Sequence, residues 1–439
     1  MASQKNKIME KITESQIEKG LQILKSLQNG KFISHANSCV HCGLCGESCM
    51  YYLTEKKSKF LPAQKVDLIT SIYKKYFTFT GKNFPKLVNA RELNEETVNE
   101  MIDLFYGACT MCGRCNLHCS IGVDIAFLVR TGRIMLTEMG LTPASLQSTV
   151  NAAITSGNNM SITTQEFVDT LKWLEEDLRD DVNDPNAAIP LNEKGKDVMY
   201  TLNPREPKFF PLSISAMAKV FYAAKESWTI STEMYDVTNY AFFSGNIKEA
   251  RIIADRMVKE VKNLNTPNLV LAECGHGDRA FRWEAPNYLK AKFDFNVTTS
   301  VELLAEYIKS GRIKVNKEKI KEIVTLHDPC NLVRNFGIVD EQRYVLSQAV
   351  SNFVEMTPHG IDNFCCGGGG GQLAMSEYNE RRLKIGEIKA NQIKKTGAQI
   401  VVAPCHNCVD QLVQLNLHYK LNVQIKTLAE IVADALIID

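Results

Sequence analysis

Residues 39–49 read CVHCGLCGESC and residues 109–119 read CTMCGRCNLHC, so the spacing C-x2-C-x2-C-x3-C occurs twice. Three thiols stepping every third residue wrap a loop around one corner of a cubane iron–sulfur cluster, while the fourth reaches the neighbouring cluster. The pattern predicts two [4Fe-4S] clusters with exchanged fourth ligands. One takes Cys39, Cys42, Cys45 and Cys119, and the other takes Cys109, Cys112, Cys115 and Cys49. Structural zinc is the competing use for such thiols, but it usually joins two separated C-x2-C knuckles at one ion. Met50 and Ser120 follow the fourth cysteines where the bacterial run carries proline, a departure that leaves the ligands untouched. His41 and His118 lie inside the loops, and with four thiols in each motif they read as polar neighbours of a cluster.

Between the motifs, KVDLITSIYKKYF (65–77) and NEETVNEMIDLFY (94–106) place apolar residues at helical spacing. A two-cluster motif with helical inserts resembles the helical ferredoxin modules of respiratory iron–sulfur subunits. Two adjacent clusters conduct electrons and perform no chemistry alone, so the catalytic group must lie further along.

The 439 residues imply two or three domains. Lys plus Arg (51) balances Asp plus Glu (50), which gives no electrostatic reason to bind nucleic acid. The N-terminus, MASQKNKIMEKITESQ, has no apolar core of a signal peptide, and no run is long enough to cross a bilayer. A cytoplasmic location is expected, where 14 cysteines serve as metal or redox ligands and not as disulfides.

Past residue 195 short apolar strands alternate with amphipathic helices, the α/β pattern. EARIIADRMVKEVKNLNTPNLVLAEC (249–274) aligns without a gap on ERRLKIGEIKANQIKKTGAQIVVAPC (380–405). Upstream, DVMYTLNPR (197–205) matches EIVTLHDPC (322–330), and FFSG (242–245) stands where FCCG (364–367) stands. Downstream, FNVTTSVELLAEYI (295–308) matches LNVQIKTLAEIVADAL (421–436). The second half is one α/β unit written twice. The second copy holds Cys330, Cys365, Cys366, Cys405 and Cys408, and the first has Arg205, Phe243, Ser244, Cys274 and Gly277 in those places. The first copy therefore forms a wall and holds no such site. Cys274 reads as a small buried hydrophobe, with a thiol facing substrate as the alternative.

Cys330, the pair Cys365-Cys366 followed by Gly367 and Gly368, and Cys405-x2-Cys408 resemble the CCG domain of heterodisulfide reductases. ECGHG, HDPC, MTPHGIDNFCCGGGGG and VVAPCHNCVDQL carry the likeness, over residues 196–439. Within that family the chain is most similar to the HdrD-related catalytic subunits, including the DsrK and TmcB types of sulfate-reducing microbes. The resemblance implies a noncubane [4Fe-4S] cluster on those five cysteines that cleaves a sulfur–sulfur bond. Gly367 and Gly368 would let bare backbone approach it. Five thiols exceed what a cubane needs, and a zinc site has no evident use for a fifth. His327 and His406 flank the ligands, either to deliver protons to cleaved sulfur or to hydrogen-bond the cluster. Asp328 and Asn407 read as local backbone partners.

The expected fold class is α/β: an N-terminal helical two-cluster ferredoxin domain followed by a duplicated α/β CCG-type catalytic domain. The expected division is 1–30 N-terminal helix, 31–140 ferredoxin, 141–196 helix and linker, 197–320 stripped repeat, and 321–439 repeat with the catalytic cluster. An isolated helix over 8–28 shows Ile17, Leu21 and Leu24 on one side. A helix from 164 has a capping box at Thr163 and Glu166, and 180–196 reads as a linker.

With no haem-attachment or dinucleotide fingerprint, the chain must receive electrons from other subunits. The resemblance implies a membrane cytochrome b-type subunit, further cytochrome or iron–sulfur subunits, and a DsrC-type sulfur-carrier protein as substrate. It also implies a place on the inner face of the cytoplasmic membrane. The alternative is an iron–sulfur subunit of a 2-hydroxyacid or glycerol-3-phosphate dehydrogenase, which shares the CCG domain and passes electrons to quinone.

Overall fold

The computed structural model describes residues 12–438. The chain divides into two compact units. One runs to Ala144 and takes in Ser244–Asn246, and the other comprises Ser145–Phe243 and the chain from Ile247.

The first unit is helical. Its opening helix, Glu14–Ser26, starts at a capping box between Thr13 and Gln16. The part of the expected helix before residue 12 lies outside the described residues. Leu24 is buried, Ile17 and Leu21 are half-buried, and a Cβ added at Gly20 would come 2.6 Å from the Met139 Sδ. The helix thus crosses Ile125–Glu138 closely at a residue without a side chain. The helices expected between the cysteine motifs form as Pro62–Phe77 and Glu95–Met101, the second continuing into a wider π-helical turn, Ile102–Tyr106.

In the second unit, helix Thr164–Val182 begins at the Thr163/Glu166 capping box and buries Phe167, Leu171, Leu174 and Leu178. Residues 180–196 continue along this unit, with Ala187 and Ile189 in the same core as Val198 and Tyr200. A polar, proline-containing stretch reads as a linker, but here Arg179 donates to the Ala187 carbonyl and the Ile189 amide donates to Glu175, each at 2.9 Å, which holds it against the helix.

The duplication is visible in the sheets. Strands β1 (Val198–Tyr200), β2 (Trp228–Thr229), β3 (Asn268–Leu271) and β4 (Asn296–Thr299) form a parallel sheet in the order β2-β1-β3-β4. After a short β5 (Lys314–Val315), strands β6 (Ile323–Leu326), β7 (Asn352–Phe353), β8 (Ile400–Val402) and β9 (Gln424–Lys426) repeat that order as β7-β6-β8-β9. Register is kept as well, with Met199 opposite Leu269 and Val324 opposite Ile400. After each sheet's last strand comes a helix with the same capping box, Thr299 with Glu302 and Thr427 with Glu430. Of the central strands, β1 and β8 are buried throughout and β3 and β6 past their first residue, as parallel strands covered on both faces require. The final strand β10 (Leu436–Ile437) pairs antiparallel with β5, tying the end of the second copy to the end of the first.

Candidate metal centres

The two cysteine loops of the first unit share a backbone. Two residues after the first cysteine the chain turns left-handed, at His41 (φ 55°) and Met111 (φ 54°), and again after the second, at Gly43 (φ 81°) and Gly113 (φ 73°). Such a double reversal turns successive thiols toward one point. Burial raises the Cys39 thiol, and Asp67, Cys119 and Cys42 add to the rise. Burial likewise raises Cys49, whose sulfur neighbours are Cys112 and Cys109. Each fourth cysteine is therefore electrostatically close to the other motif's loop.

Cations distinguish the two groups. The buried Lys65 ammonium donates to the Ala108 carbonyl at 2.6 Å, and the sulfurs of Cys49, Cys109, Cys115 and Cys112 hold it protonated against burial. Arg133, fully buried, donates to the Cys109 carbonyl at 2.9 Å. Near the other loop, His41 Nδ1 lies 3.5 Å from Asp67. Neither Lys65 nor Arg133 carries a sequence signal; each looks like one more basic residue on a helix.

In the second unit all five cysteines of the second copy are buried. Cys330 opens the helix Cys330–Phe336, and Cys405 precedes the helix His406–Tyr419, which carries Cys408 in its first turn. The Cys366 and Cys408 sulfurs stand 3.4 Å apart. Hydrogen bonds from the Cys365 and Cys408 sulfurs lower the Cys366 pKa well below its ordinary value. A hydrogen bond from Cys408 brings Cys405 down to about 7. Cys365, Cys366, Cys408 and Cys405 thus form a linked series. Residues flanking Cys330 meet it at Gly275, where an added Cβ would lie 3.2 Å from Asn331, 3.6 Å from the Cys405 sulfur and 3.9 Å from Pro329.

The glycines act through backbone amides. Gly367 N–H donates to the Cys365 sulfur at 3.3 Å, and Gly368 N–H to the Cys366 sulfur at 3.4 Å. Gly367 has φ 103° and its counterpart Gly245 has φ 99°, so both copies make the same left-handed turn.

The two histidines diverge. His327, completely buried, has ligand atoms within 4.8 Å of those of Cys366 and Cys408, and neither ring nitrogen has a hydrogen-bond partner. Burial holds it neutral. His406 turns to the first copy: Nδ1 lies 3.1 Å from the Glu273 carbonyl, and Nε2 lies 2.9 Å from the Ser213 hydroxyl. Both its nitrogens are already used, so the proton-carrying reading has no support at His406. Asp328 accepts from Arg343 at 2.9 and 3.0 Å, from Gln342 and from the Gly360 amide, as a buried anchor for the loop before the cysteine pair. Asn407 is not a local backbone partner; its Oδ1 accepts from Arg205 and Tyr240 of the first copy, each at 3.1 Å. Cys274 is fully buried, receives N–H groups of Asn203 and Gly277 at 3.3 Å, and is held protonated by burial. That burial and those two donors fit the small-buried-hydrophobe reading.

Sequence reasoning missed Lys389 and Asn363. The buried Lys389 amine donates to Asn363 Oδ1 at 2.6 Å; burial lowers its pKa to about 8, opposed by the charges of Asp328, Cys366 and Cys365. Five buried thiols gathered beside an imidazole with no hydrogen-bond partner suit an iron–sulfur group, since the ring would otherwise bury two polar atoms unpaired.

The comparisons with known proteins agree with this division of chemistry. Residues 35–123 match the 4Fe-4S dicluster domain, and residues 324–413 match the cysteine-rich CCG domain. The chain is 27% identical to the Hdr-like menaquinol oxidoreductase iron-sulfur subunit 2 of Archaeoglobus fulgidus, covering 97% of this chain and 84% of that one. It is also 27% identical to the HdrD subunit of the dihydromethanophenazine:CoB--CoM heterodisulfide reductase of Methanosarcina mazei, over 91% of this chain and 94% of that one. An EtfAB:quinone oxidoreductase of Syntrophomonas wolfei is 24% identical over 86% of this chain and 54% of its own. Fold and thiol sites define an iron–sulfur oxidoreductase. Over more than nine-tenths of its length the chain is similar to HdrD and Hdr-like iron–sulfur subunits. Among the described residues no helix is long and apolar enough to cross a membrane.

Proposed function

We propose that the chain is the catalytic iron–sulfur subunit of a redox complex that reduces a disulfide or trisulfide. Cys39, Cys42, Cys45 and Cys119 would hold one cubane cluster and Cys109, Cys112, Cys115 and Cys49 a second, a pair that would supply electrons to the site of Cys330, Cys365, Cys366, Cys405 and Cys408. Those five thiols would hold a noncubane [4Fe-4S] cluster, whose chemistry would be one-electron reduction of a sulfur–sulfur bond. Overall, RSSR′ takes up two electrons and two protons and gives RSH and R′SH.

The observation that carries the reading is the contrast between the copies. The shared sheet keeps its order while the full set of five thiols occurs only in the copy where His327 is buried without a partner; the first copy keeps Cys274 alone. Gly367 and Gly368 hold two sulfurs through amide N–H groups, and neutral His327 offers one further N–H to sulfur. Relatives named as subunits of menaquinol- and dihydromethanophenazine-linked enzymes support work within a multi-subunit redox complex. The membrane cytochrome b-type donor, the place at the inner face of the membrane and the DsrC-type carrier as substrate rest on the resemblance of the cysteine motifs to DsrK- and TmcB-type subunits.

Anaerobic isolation of the native complex and electron paramagnetic resonance test this. A Cys365→Ala variant should lose tenfold or more of its disulfide reduction with reduced viologen while both cubane signals persist. Full activity would sink the assignment. The quinone-oxidoreductase relative favours a second reading, delivery of electrons to quinone. Co-purification with a flavoprotein and no haem b subunit would select it.

A further inference from the structure

The two copies differ at one more pair of positions than the thiols require. EMYDVTNYAFFSG (233–245) and EMTPHGIDNFCCG (355–367) align without a gap, which sets Asn363 opposite Ala241. The alignment of 249–274 on 380–405 sets Lys389 opposite Val258. The first copy builds the same sheet and the same left-handed glycine with neither residue. The fold does not need a buried amine there.

Lys389 lies on helix Glu387–Thr396 and is 0% exposed. Besides its bond to Asn363 Oδ1, its ammonium approaches only a soft acceptor, the Met356 sulfur at 3.7 Å. Asn363 is fixed in turn by donating to the Asp328 carbonyl. The lysine is thus aimed from a rigid helix at the loop that ends in Cys365 and Cys366. Burying an ammonium is costly unless an anion repays it. The neighbouring carboxylate, Asp328, already receives both guanidinium nitrogens of Arg343. Five thiolates carry one more negative charge than the four of a cubane, in a site where every cysteine is buried.

Resting on the five-cysteine reading, we propose that Lys389, held by Asn363, is the built-in counter-charge of the sulfur site and sets how readily that site accepts an electron. It acts through the cluster thiolates and touches no substrate.

The test is a redox titration of the holoprotein followed by electron paramagnetic resonance, with Lys389→Gln and Lys389→Arg. Glutamine can still donate to Asn363 but carries no charge. At the wild-type midpoint of the third couple, Lys389→Gln should lower the reduced-to-oxidised ratio at least tenfold, about 59 mV for one electron. Lys389→Arg should stay within threefold, and the two ferredoxin couples should not move. The proposal fails if the glutamine variant titrates like wild type, if arginine shifts as far as glutamine, or if all three couples shift together. Loss of the site's iron with glutamine but not arginine supports the charge; loss with both shows a packing role and overturns it. A wild-type protein with two cubane couples and no third signal removes the five-cysteine reading itself, and this role with it.

Discussion

The backbone N–H of Gly275, in the first repeat, donates to the Cys405 sulfur of the second at 3.3 Å. One residue before the intervening Cys274, the Glu273 carbonyl accepts from the His406 amide at 2.8 Å, and the Glu273 carboxyl accepts from Leu428 and Ala429 at the start of the last helix. The repeat without ligands therefore completes the repeat that has them.

Arg205, at the place of Cys330, turns that position into an inter-repeat contact by pairing with Asp410 and donating to Asn407. Truncation leaves a mostly buried carboxylate without its partner. Arg205→Ala should cost about 3–5 kcal/mol, read as a lower denaturation midpoint. A change under about 1 kcal/mol would mean that water replaces the guanidinium.

The first copy should resist being given its thiols back. A Cβ at Gly277 would lie 2.6 Å from Val237 Cγ2, so the cysteine matching Cys408 does not fit. Gly277→Cys is expected to destabilise by about 1–3 kcal/mol through overpacking. Combining it with Arg205→Cys, Phe243→Cys and Ser244→Cys should yield no extra iron per chain. Extra iron with unchanged stability contradicts this.

Glu206 is fully buried, and burial pushes its carboxyl up to about 8. The folded state then holds a proton that the unfolded state releases near the ordinary value of 4.5. Its contribution is complete below that value and is lost as pH rises toward 8. Glu206→Gln should match wild type near pH 5 and be the more stable protein near pH 8. Parallel stability curves across that range would refute the raised value.

Lys65 offers a parallel test in the ferredoxin unit. Lys65→Gln removes a buried charge from beside Cys49, Cys109, Cys112 and Cys115. One ferredoxin couple should fall by about 59 mV, a tenfold change, with the other fixed. Equal shifts in both couples would show that the ammonium serves the whole unit.

The thiol loops and the doubled α/β unit are legible in the sequence because spacing and ungapped repetition survive without three-dimensional information. The Thr163/Glu166 capping box is equally legible, since a few neighbouring residues settle it. What escapes is set by tertiary packing. Nothing local says that His406 is spent on Glu273 and Ser213 while His327 is left without a partner. Lys65 and Lys389 are single buried cations with no periodic signature. Lys389 was nevertheless recoverable, because a valine stands opposite it in the other copy.

Strand β10 closes the second repeat by pairing with β5 at the end of the first. The fused halves thereby amount to a dimer in a single chain, with one competent and one blind half. A symmetric pair of such units would hold two equivalent five-cysteine pockets; among the described residues this chain has one. Under the function proposed above, a substrate saturating it should bind once per chain and always from the same side.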